Sequence, residues 1–175
     1  MIIFFDFISL IPIVIYFSLI YNFLINPLKN IVDLFLFIYI LATDYLVKII
    51  KHLEYPEKLY KITRRPEGAN NTDYFSRNGK VTADTPGFPS GHVTGVTIFS
   101  IFMILVKWRF QGGFMNFFNE NKRYTLVHLF LIFITGLARY VKKCHNLFQI
   151  FGGFVFGTFM SVIFYYLMKL FLLLN

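Results

Sequence analysis

The chain has 175 residues, of which 57% are hydrophobic, 21% aromatic and only 15% charged, and its mean hydropathy is +0.61. This composition excludes an ordinary soluble domain, and the length excludes a second domain because each membrane crossing takes roughly 20 residues. The net charge of +8 comes from Lys and Arg residues between apolar runs, so we expect anionic membrane lipids as partners and no nucleic acid. A single membrane-embedded domain over residues 1–175 is therefore expected.

Five apolar runs predict an all-α, multi-pass transmembrane helical bundle with about five spanning helices. The predicted spans cover approximately residues 2–24, 31–50, 92–108, 124–138 and 147–174. The third and fourth runs are short for a full crossing, which is tolerable where a helix end meets a water-filled cavity instead of lipid. A functional site is therefore expected at the ends of these two helices.

The long polar stretch of residues 51–91 carries the first cluster of candidate residues. Pro56 suits the first turn of a short helix that continues through the sequence EKLYKITR. Because seven residues are nearly two helical turns, Lys58 and Arg65 are expected on one face, where two cations can converge on one anion. A solvated basic surface helix is the alternative interpretation of this segment taken alone.

The sequence GFPSGH, residues 87–92, directly precedes the third apolar run and forms the second cluster. Ser90 stands at the predicted N-cap, and the backbone N–H groups that follow it favour an anion at the positive end of the helix dipole. Gly91 allows a close backbone approach, and His92 is placed to donate a proton to a departing oxygen. The alternative is an ordinary helix cap with a histidine at the membrane interface.

The third cluster spans residues 138–149, at the junction of the fourth and fifth runs. His145 and Gln149 are four residues apart, so on a helix the Gln amide oxygen can accept the imidazole Nδ1–H and leave Nε2 as a nucleophile. Arg139 closes the preceding helix and offers a forked donor to phosphate oxygens. The alternative is a positive turn at the level of the lipid headgroups.

Taken in order, these clusters resemble the three motifs of the type-2 phosphatidic acid phosphatase (PAP2) superfamily. The family pattern reads K-x6-RP, PSGH and SR-x5-H-x3-D, and it is matched here by Lys58 with Arg65, by residues 89–92, and by Arg139 with His145. The resemblance covers a motif-bearing core of about residues 58–157. It implies a PAP2-type helical bundle.

Two positions depart from the family pattern, with Ala138 in place of Ser and Gln149 in place of the final Asp. In the family that Asp orients the nucleophilic histidine and stabilises its positive charge, whereas Gln149 can orient His145 but brings no charge. A Gln at this position also resembles the dolichyl-diphosphatase branch. We therefore interpret Gln149 as a mark of a subfamily more than of an inactive site.

The resemblance implies that His145 attacks phosphorus to form a phosphohistidine, that His92 protonates the leaving oxygen, and that Gln149 orients His145. The phosphate-binding residues that it implies are Lys58, Arg65, Ser90, Gly91 and Arg139. No metal or other cofactor is implied. The chain's single cysteine also gives no thiolate cage for a metal.

The implied activity is hydrolysis of a lipid phosphate or diphosphate, with polyprenyl or dolichyl diphosphate as the first choice and a phosphatidic acid-like lipid as the second. A catalytically silent lipid-phosphate-binding protein is the alternative, and a plain structural or channel-like membrane protein is a third. The expected location is an endomembrane, such as the endoplasmic reticulum, in a eukaryotic or eukaryote-infecting source, or the plasma membrane in a bacterium. The positive-inside rule places the site in the cytosol, whereas the resemblance favours the opposite face.

Overall fold

A computed structural model of the chain describes residues 2–53, 55–73, 76–80, 85–109 and 113–171. In chain order, the helices of this part are α1 (Ile2–Ile8), α2 (Ile11–Ile25), α3 (Ile31–Lys51), α4 (Glu57–Thr63), α5 (Gly91–Trp108), α6 (Phe114–Glu120), α7 (Lys122–Val141) and α8 (Leu147–Leu170). Two short strands, β1 (Asn70–Asp73) and β2 (Ser76–Lys80), pair antiparallel in the extramembrane segment between α4 and α5.

The expected helical membrane bundle is confirmed. In the described part of the chain, four stretches are long and apolar enough to cross a membrane: Phe4–Ile25, α5, α7 and α8. The second predicted span also forms, as the 21-residue helix α3, but Asp33, Asp44, Lys48 and Lys51 give it more charged side chains than any of these four stretches. The end of the last predicted span, residues 172–174, lies outside the described residues.

The first predicted span is two helices, because the chain turns at Ser9 and Leu10. The Ser9 hydroxyl donates to the Phe5 carbonyl at 2.9 Å at the end of α1, and Pro12 lies at the start of α2, where its missing N–H is not needed. The break turns α1 against α7, where Ile8 packs near Ala138. The N-terminal helix therefore lies beside the third cluster.

Helix α5 is the centre of the bundle, since it packs against α8, α7, α3 and α2. Its closest approach is to α8, at two glycines. A Cβ atom on Gly153 would lie 2.7 Å from the Ser90 carbonyl oxygen, and one on Gly157 would lie 2.8 Å from the Thr94 carbonyl oxygen. Because the two backbones touch, the start of α5 and the start of α8 are held at a fixed distance.

Helix α7 ends in a tight turn in which Lys143 adopts a left-handed conformation with φ 53°. The Cys144 N–H donates to the Arg139 carbonyl at 3.0 Å, and the Lys143 N–H donates to the Tyr140 carbonyl at 2.9 Å. This pair of bonds is the Schellman motif, which normally uses glycine at the left-handed position. The turn places His145 directly after it.

Lys143→Gly is expected to raise the free energy of unfolding by about 1 kcal/mol, because glycine adopts the left-handed conformation without the steric cost of a side chain. Thermal and denaturant unfolding in detergent measure the change. Lys107→Gly, an exposed substitution inside the last turn of α5, is the control and should lower stability by about 1 kcal/mol. Equal losses from both substitutions would refute this description of the turn.

Candidate active site

Backbone hydrogen bonds join the three clusters at one end of the bundle. The Gly87 N–H donates to the Thr63 carbonyl at 2.9 Å, which connects the second cluster to the end of α4. The Ser90 N–H donates to the Gln149 carbonyl at 3.0 Å, which connects the second cluster to the first turn of α8. Residues that are far apart in the sequence therefore meet in one place.

The same three cations act on both candidate catalytic histidines. The charges of Arg139, Arg65 and Lys51 lie close enough to His92 and His145 to influence each ring. Lys51 was missed by the sequence analysis, although its position as the last residue of α3 marks it as a cation at a helix end. The site is therefore strongly positive and suited to an anion such as phosphate.

The first cluster differs from its prediction. Helix α4 ends at Thr63, and Arg64 adopts an extended conformation, so Arg65 lies outside the helix. The expectation that Lys58 and Arg65 share one helical face is therefore wrong, because the chain after Thr63 leaves the helix to hydrogen-bond with residues 85–88. Arg65 is half-buried beside the histidines, whereas Lys58 is exposed on α4, so its phosphate-binding role stays a prediction.

His145 is buried and hydrogen-bonded to Gln149, as its spacing predicts. The His145 Nδ1 lies 3.0 Å from the Gln149 Oε1. Gln149 also forms a reciprocal cap with Asn146, whose side chain accepts from the Gln149 N–H at 2.9 Å. The ring of His145 is therefore fixed by the same residues that begin α8.

The other hydrogen bonds of Gln149 settle which end of its amide faces His145. Its Nε2 donates to the Arg64 carbonyl at 2.6 Å and to the Ile62 carbonyl at 3.3 Å, so its Oε1 is the acceptor. An acceptor opposite Nδ1 requires the tautomer that carries its proton on Nδ1. The lone pair of the neutral ring is then on Nε2, as a nucleophile needs.

The surroundings of His145 favour its neutral form. Burial lowers the pKa of His145 well below its usual value, and the positive charges of Arg139, Arg65 and Lys51 lower it further. The hydrogen bond with Gln149 acts in the opposite direction on this pKa but does not offset the other causes. His145 is therefore unprotonated at neutral pH.

Ser90 occupies the N-cap position of α5, as predicted, but its side chain makes no capping hydrogen bond. Its Oγ atom is buried and has no hydrogen-bond partner among the described residues. Buried hydroxyls normally have a partner, so this atom is available to a bound phosphate oxygen. Gly91 opens the helix, and a Cβ atom there would lie 3.2 Å from the Asp44 carboxylate.

Arg139 is a cation deep in the bundle, with only 2% of its surface exposed, in the last turn of α7. A buried guanidinium is costly unless it meets an anion or several hydrogen-bond acceptors. Its place beside His92 and His145 matches the phosphate-binding role expected for it.

Lys142 is held by the N-terminal helix. Its ammonium lies 2.7 Å from the Asp6 carboxylate and 3.2 Å from the Ser9 hydroxyl, and its side chain is only 10% exposed. The contact fixes the turn that carries His145 against α1. The sequence carries no local signal for this contact, because Asp6 and Lys142 are far apart in the chain.

Asp6→Asn is expected to lower the free energy of unfolding by about 1–2 kcal/mol, because it removes the carboxylate charge from a mostly buried ammonium. Thermal unfolding in detergent measures the loss. In a Lys142→Met background the same change should have little effect, since the cation is gone. If Asp6→Asn lowered the free energy of unfolding equally in both backgrounds, the ion pair between Asp6 and Lys142 would not be the cause of the loss.

Within the described residues, no group of three or more His, Cys, Asp or Glu side chains is placed to hold a metal ion. The cations Arg139, Arg65 and Lys51 do act on both imidazoles, and the buried Ser90 hydroxyl precedes His92 by two residues. These are groups that bind phosphate oxygens directly.

Comparison with known proteins identifies one family. The model of the PAP2 superfamily matches residues 13–172, which is most of the chain. No curated protein and no solved structure matches the chain.

Proposed function

Because the chain belongs to the PAP2 superfamily, we propose that it is a metal-independent lipid phosphatase that works through a phosphohistidine on His145. The family generally comprises phosphatases that act on phosphate esters, and the four apolar helices make the chain an integral membrane protein. The observation that carries the proposal is the hydrogen bond of 3.0 Å between His145 and Gln149, at a ring on which the charges of Arg139, Arg65 and Lys51 act.

In the proposed first step, the His145 Nε2 attacks phosphorus, and the bond from phosphorus to the lipid oxygen breaks on the opposite side. His92 gives its proton to that oxygen, so the product is a lipid alcohol from a monophosphate or a lipid monophosphate from a diphosphate. In the second step, water gives a proton to His92 and attacks phosphorus. Inorganic phosphate then leaves and His145 is restored.

The transferred group carries negative charge on three oxygens in the transition state. In this proposal, Arg65 and Arg139, with the Ser90 hydroxyl and the Gly91 N–H, stabilise this charge, and Lys51 adds a further cation. Lys58 is exposed on α4, and its part in binding phosphate remains a prediction. Fixed cations here replace the magnesium ions that neutralise phosphate charge in kinases.

We propose an amphiphilic substrate, with polyprenyl or dolichyl diphosphate first and a phosphatidic acid-like lipid second. The site lies at the ends of membrane-spanning helices, where a phosphate headgroup and its hydrocarbon chain meet different surroundings. The host membrane is an endomembrane in a eukaryotic or eukaryote-infecting source and the plasma membrane in a bacterium.

The second candidate is a lipid-phosphate-binding protein without turnover, which the neutral Gln149 in place of the family's Asp favours. Phosphate release by purified protein from polyprenyl diphosphate and from phosphatidic acid, measured in EDTA, separates the two. Release that persists in EDTA supports the proposed enzyme. Binding of vanadate or phosphonate lipids without any phosphate release supports the silent binder.

The pH dependence of catalysis is expected to follow the lowered pKa of His145. Protonation removes the nucleophile, so kcat/KM falls as pH drops through that pKa, and the midpoint of the fall should lie well below 6.5. Lys51→Met removes one positive charge, which should raise the pKa of His145 and move the midpoint to higher pH. The pH profiles of the wild type and of Lys51→Met are measured with the same substrate, so ionisation of the substrate contributes equally to both. A midpoint unchanged by the substitution would contradict this assignment.

A further inference from the structure

The last turns of α3 pack against the first turns of α5. A Cβ atom on Gly91 would lie 3.2 Å from the Asp44 carboxylate and 3.8 Å from a methyl group of Val47. One turn further into α5, a Cβ atom on Gly95 would lie 3.5 Å from a methyl group of Ile40. Because the contacts move forward along α3 as they move back along α5, the two helices run antiparallel. The end of α3 therefore extends past the first residue of α5.

Lys51 is the last residue of α3 and lies beyond the start of α5. It follows Asp44 by seven residues, so it is on the same side of α3 and about 10 Å further along the helix axis. Asp44 is level with Gly91, and the backbone N–H groups at this end of α5 have no partner within the helix. The Ser90 hydroxyl at the same end is buried and has no hydrogen-bond partner among the described residues. Lys51 is therefore at the end of α5 that offers donors to an anion.

The end of α3 is also held to the loop that carries Ser90. The Tyr55 hydroxyl donates to the Ile50 carbonyl at 3.0 Å, directly before Lys51. The ring of Tyr55 meets the ring of Phe88 edge-on, with centroids 6.4 Å apart. Phe88 precedes Ser90 by two residues. These contacts fix the backbone beside Lys51 relative to the second cluster.

The charge of Lys51 reaches both candidate catalytic histidines. It acts on His92 and on His145, as the charges of Arg65 and Arg139 do. The half-buried position of Lys51 at the end of α3 agrees with this influence. Lys51 thus belongs to the same group of cations as two residues that the resemblance makes phosphate-binding, although the resemblance does not include Lys51.

The carboxylate closest to this group of donors is already paired. Asp44 lies beside Gly91, and its second carboxylate oxygen is 3.2 Å from the Lys48 ammonium. Lys48 is one turn from Asp44, whereas Lys51 is two turns away. Asp44 therefore opposes an anion near Gly91 less than an unpaired carboxylate would.

Lys58 has none of these relations to the site. It is exposed in the first turn of α4, whereas the last turn of α4 contacts the second cluster through the Thr63 carbonyl and the Gly87 N–H. Because α4 ends at Thr63, Lys58 does not share a helical face with Arg65. The cation that the family pattern places at Lys58 is therefore not directed at the histidines from that position.

We propose that Lys51 binds a phosphate oxygen directly, in the role that the family pattern assigns to Lys58. The assignment rests on the proposed function for the identity of the ligand as a phosphate group. A lysine at the end of a helix suits this role, because its flexible stem carries three donors to the anion. The phosphate is then held by Lys51, Arg65 and Arg139.

The test compares lysines that lie in different places. Lys51→Met and Lys58→Met each keep a long unbranched side chain that favours helix and remove the charge. Lys107→Met, in the last turn of α5 at the opposite end of that helix, is the control for loss of an exposed lysine. The probes are inorganic phosphate and hexylphosphonate, which bind without being hydrolysed. Their affinities are measured by calorimetric titration of purified protein in detergent, and thermal unfolding checks that each variant is folded.

Lys51→Met is expected to weaken the binding of both probes by about tenfold or more, because a charge-assisted hydrogen bond to the anion is lost. The loss should persist at high salt, since a direct contact is screened less than a distant charge. Lys51→Arg, which keeps a charged donor, should retain affinity within about threefold of the wild type. Lys58→Met and Lys107→Met should each change affinity by less than about threefold.

Three results would overturn the assignment. Unchanged affinity in folded Lys51→Met would exclude a contact, and a loss that disappears at high salt would mean that Lys51 acts only at a distance. Equal losses in Lys51→Met and Lys58→Met would return Lys58 to the phosphate.

Turnover is measured separately, as phosphate release from hexyl phosphate. Absence of turnover in the wild type, together with weakened probe binding in Lys51→Met, would refute the enzyme and support Lys51 as the anion ligand. Turnover in the wild type with equal probe binding in Lys51→Met would support the enzyme and refute the role of Lys51.

Discussion

Replacing His145 by alanine is expected to abolish phosphate release, lowering kcat by about 10³-fold or more, because no other group replaces a lost nucleophile. The cation cluster of Arg139, Arg65 and Lys51 stays in the variant. Binding of inorganic phosphate or vanadate should therefore persist, within about tenfold of the wild-type affinity. The variant thus separates chemistry from anion binding.

Two controls accompany this variant. His52→Ala changes an exposed histidine at the end of α3 and should keep wild-type activity. Cys144→Ala tests the neighbouring thiol, which is fully buried and lies 3.6 Å from the Lys142 carbonyl oxygen, and it should also retain activity. Phosphate release that survives in His145→Ala but disappears in Cys144→Ala would identify the Cys144 thiol, and not His145, as the nucleophile.

Introducing the family's carboxylate at position 149 is expected to harm this protein. The Gln149 Nε2 donates to the carbonyls of Arg64 and Ile62. A carboxylate at this position has no N–H to donate, so one of its oxygens would face these two carbonyl oxygens without a hydrogen bond. The amide is fully buried, and a Cβ atom on Gly87 would lie 2.6 Å from its oxygen, so there is little room for a new conformation. An unsatisfied buried group of this kind costs about 1–3 kcal/mol, and more when charged.

Gln149→Glu, which keeps the shape, and Gln149→Asp, which shortens the side chain, should therefore both lower the free energy of unfolding by about 2 kcal/mol or more. Both should reduce kcat/KM by roughly 10- to 100-fold, because the ring of His145 loses its fixed orientation. Asn116→Asp adds a negative charge at an exposed position of α6 and is the control. Activity raised by Gln149→Asp would instead mean that the missing charge limits the wild-type enzyme.

The hydrogen bonds of the Gln149 side chain are relevant to the replacement of the family's Asp by Gln at this position. The backbone around Arg64 presents carbonyl oxygens to position 149, so the amide of Gln149 fits its surroundings better than a carboxylate would. The same amide joins the first cluster to His145. This fit supports the interpretation of Gln149 as a built-in feature of an active site.

Most of the fold could be predicted from hydropathy, because α5, α7 and α8 are long apolar runs separated by polar turns. The break at Ser9 and Leu10 was not predicted, although Pro12 at the start of α2 is a local signal for a new helix. The predicted end of α4 also lies too far along the chain. Arg64 leaves the helix to pair with Pro86, and the local sequence does not reveal this partner. Local signals thus predicted the helices better than their ends.

Part of the candidate site could likewise be predicted from the sequence, and part could not. The hydrogen bond between His145 and Gln149 was predictable, because a spacing of four residues on a helix fixes the contact. The nearness of Lys51 to both histidines was not, because it arises from the packing of α3 against α5. The buried Ser90 hydroxyl was placed at the right cap position, but only the structure reveals that it makes no cap.

The most direct test of the central claim is to trap the phosphoenzyme. A labelled aryl phosphate, whose leaving group needs no proton, is mixed with wild type and with His92→Ala, and the protein is quenched in base and digested. We expect acid-labile, base-stable phosphate on the peptide that carries His145, with more label in His92→Ala because hydrolysis of the intermediate lacks its general base. Turnover by the wild type with no phosphate on His145 in either protein would contradict it.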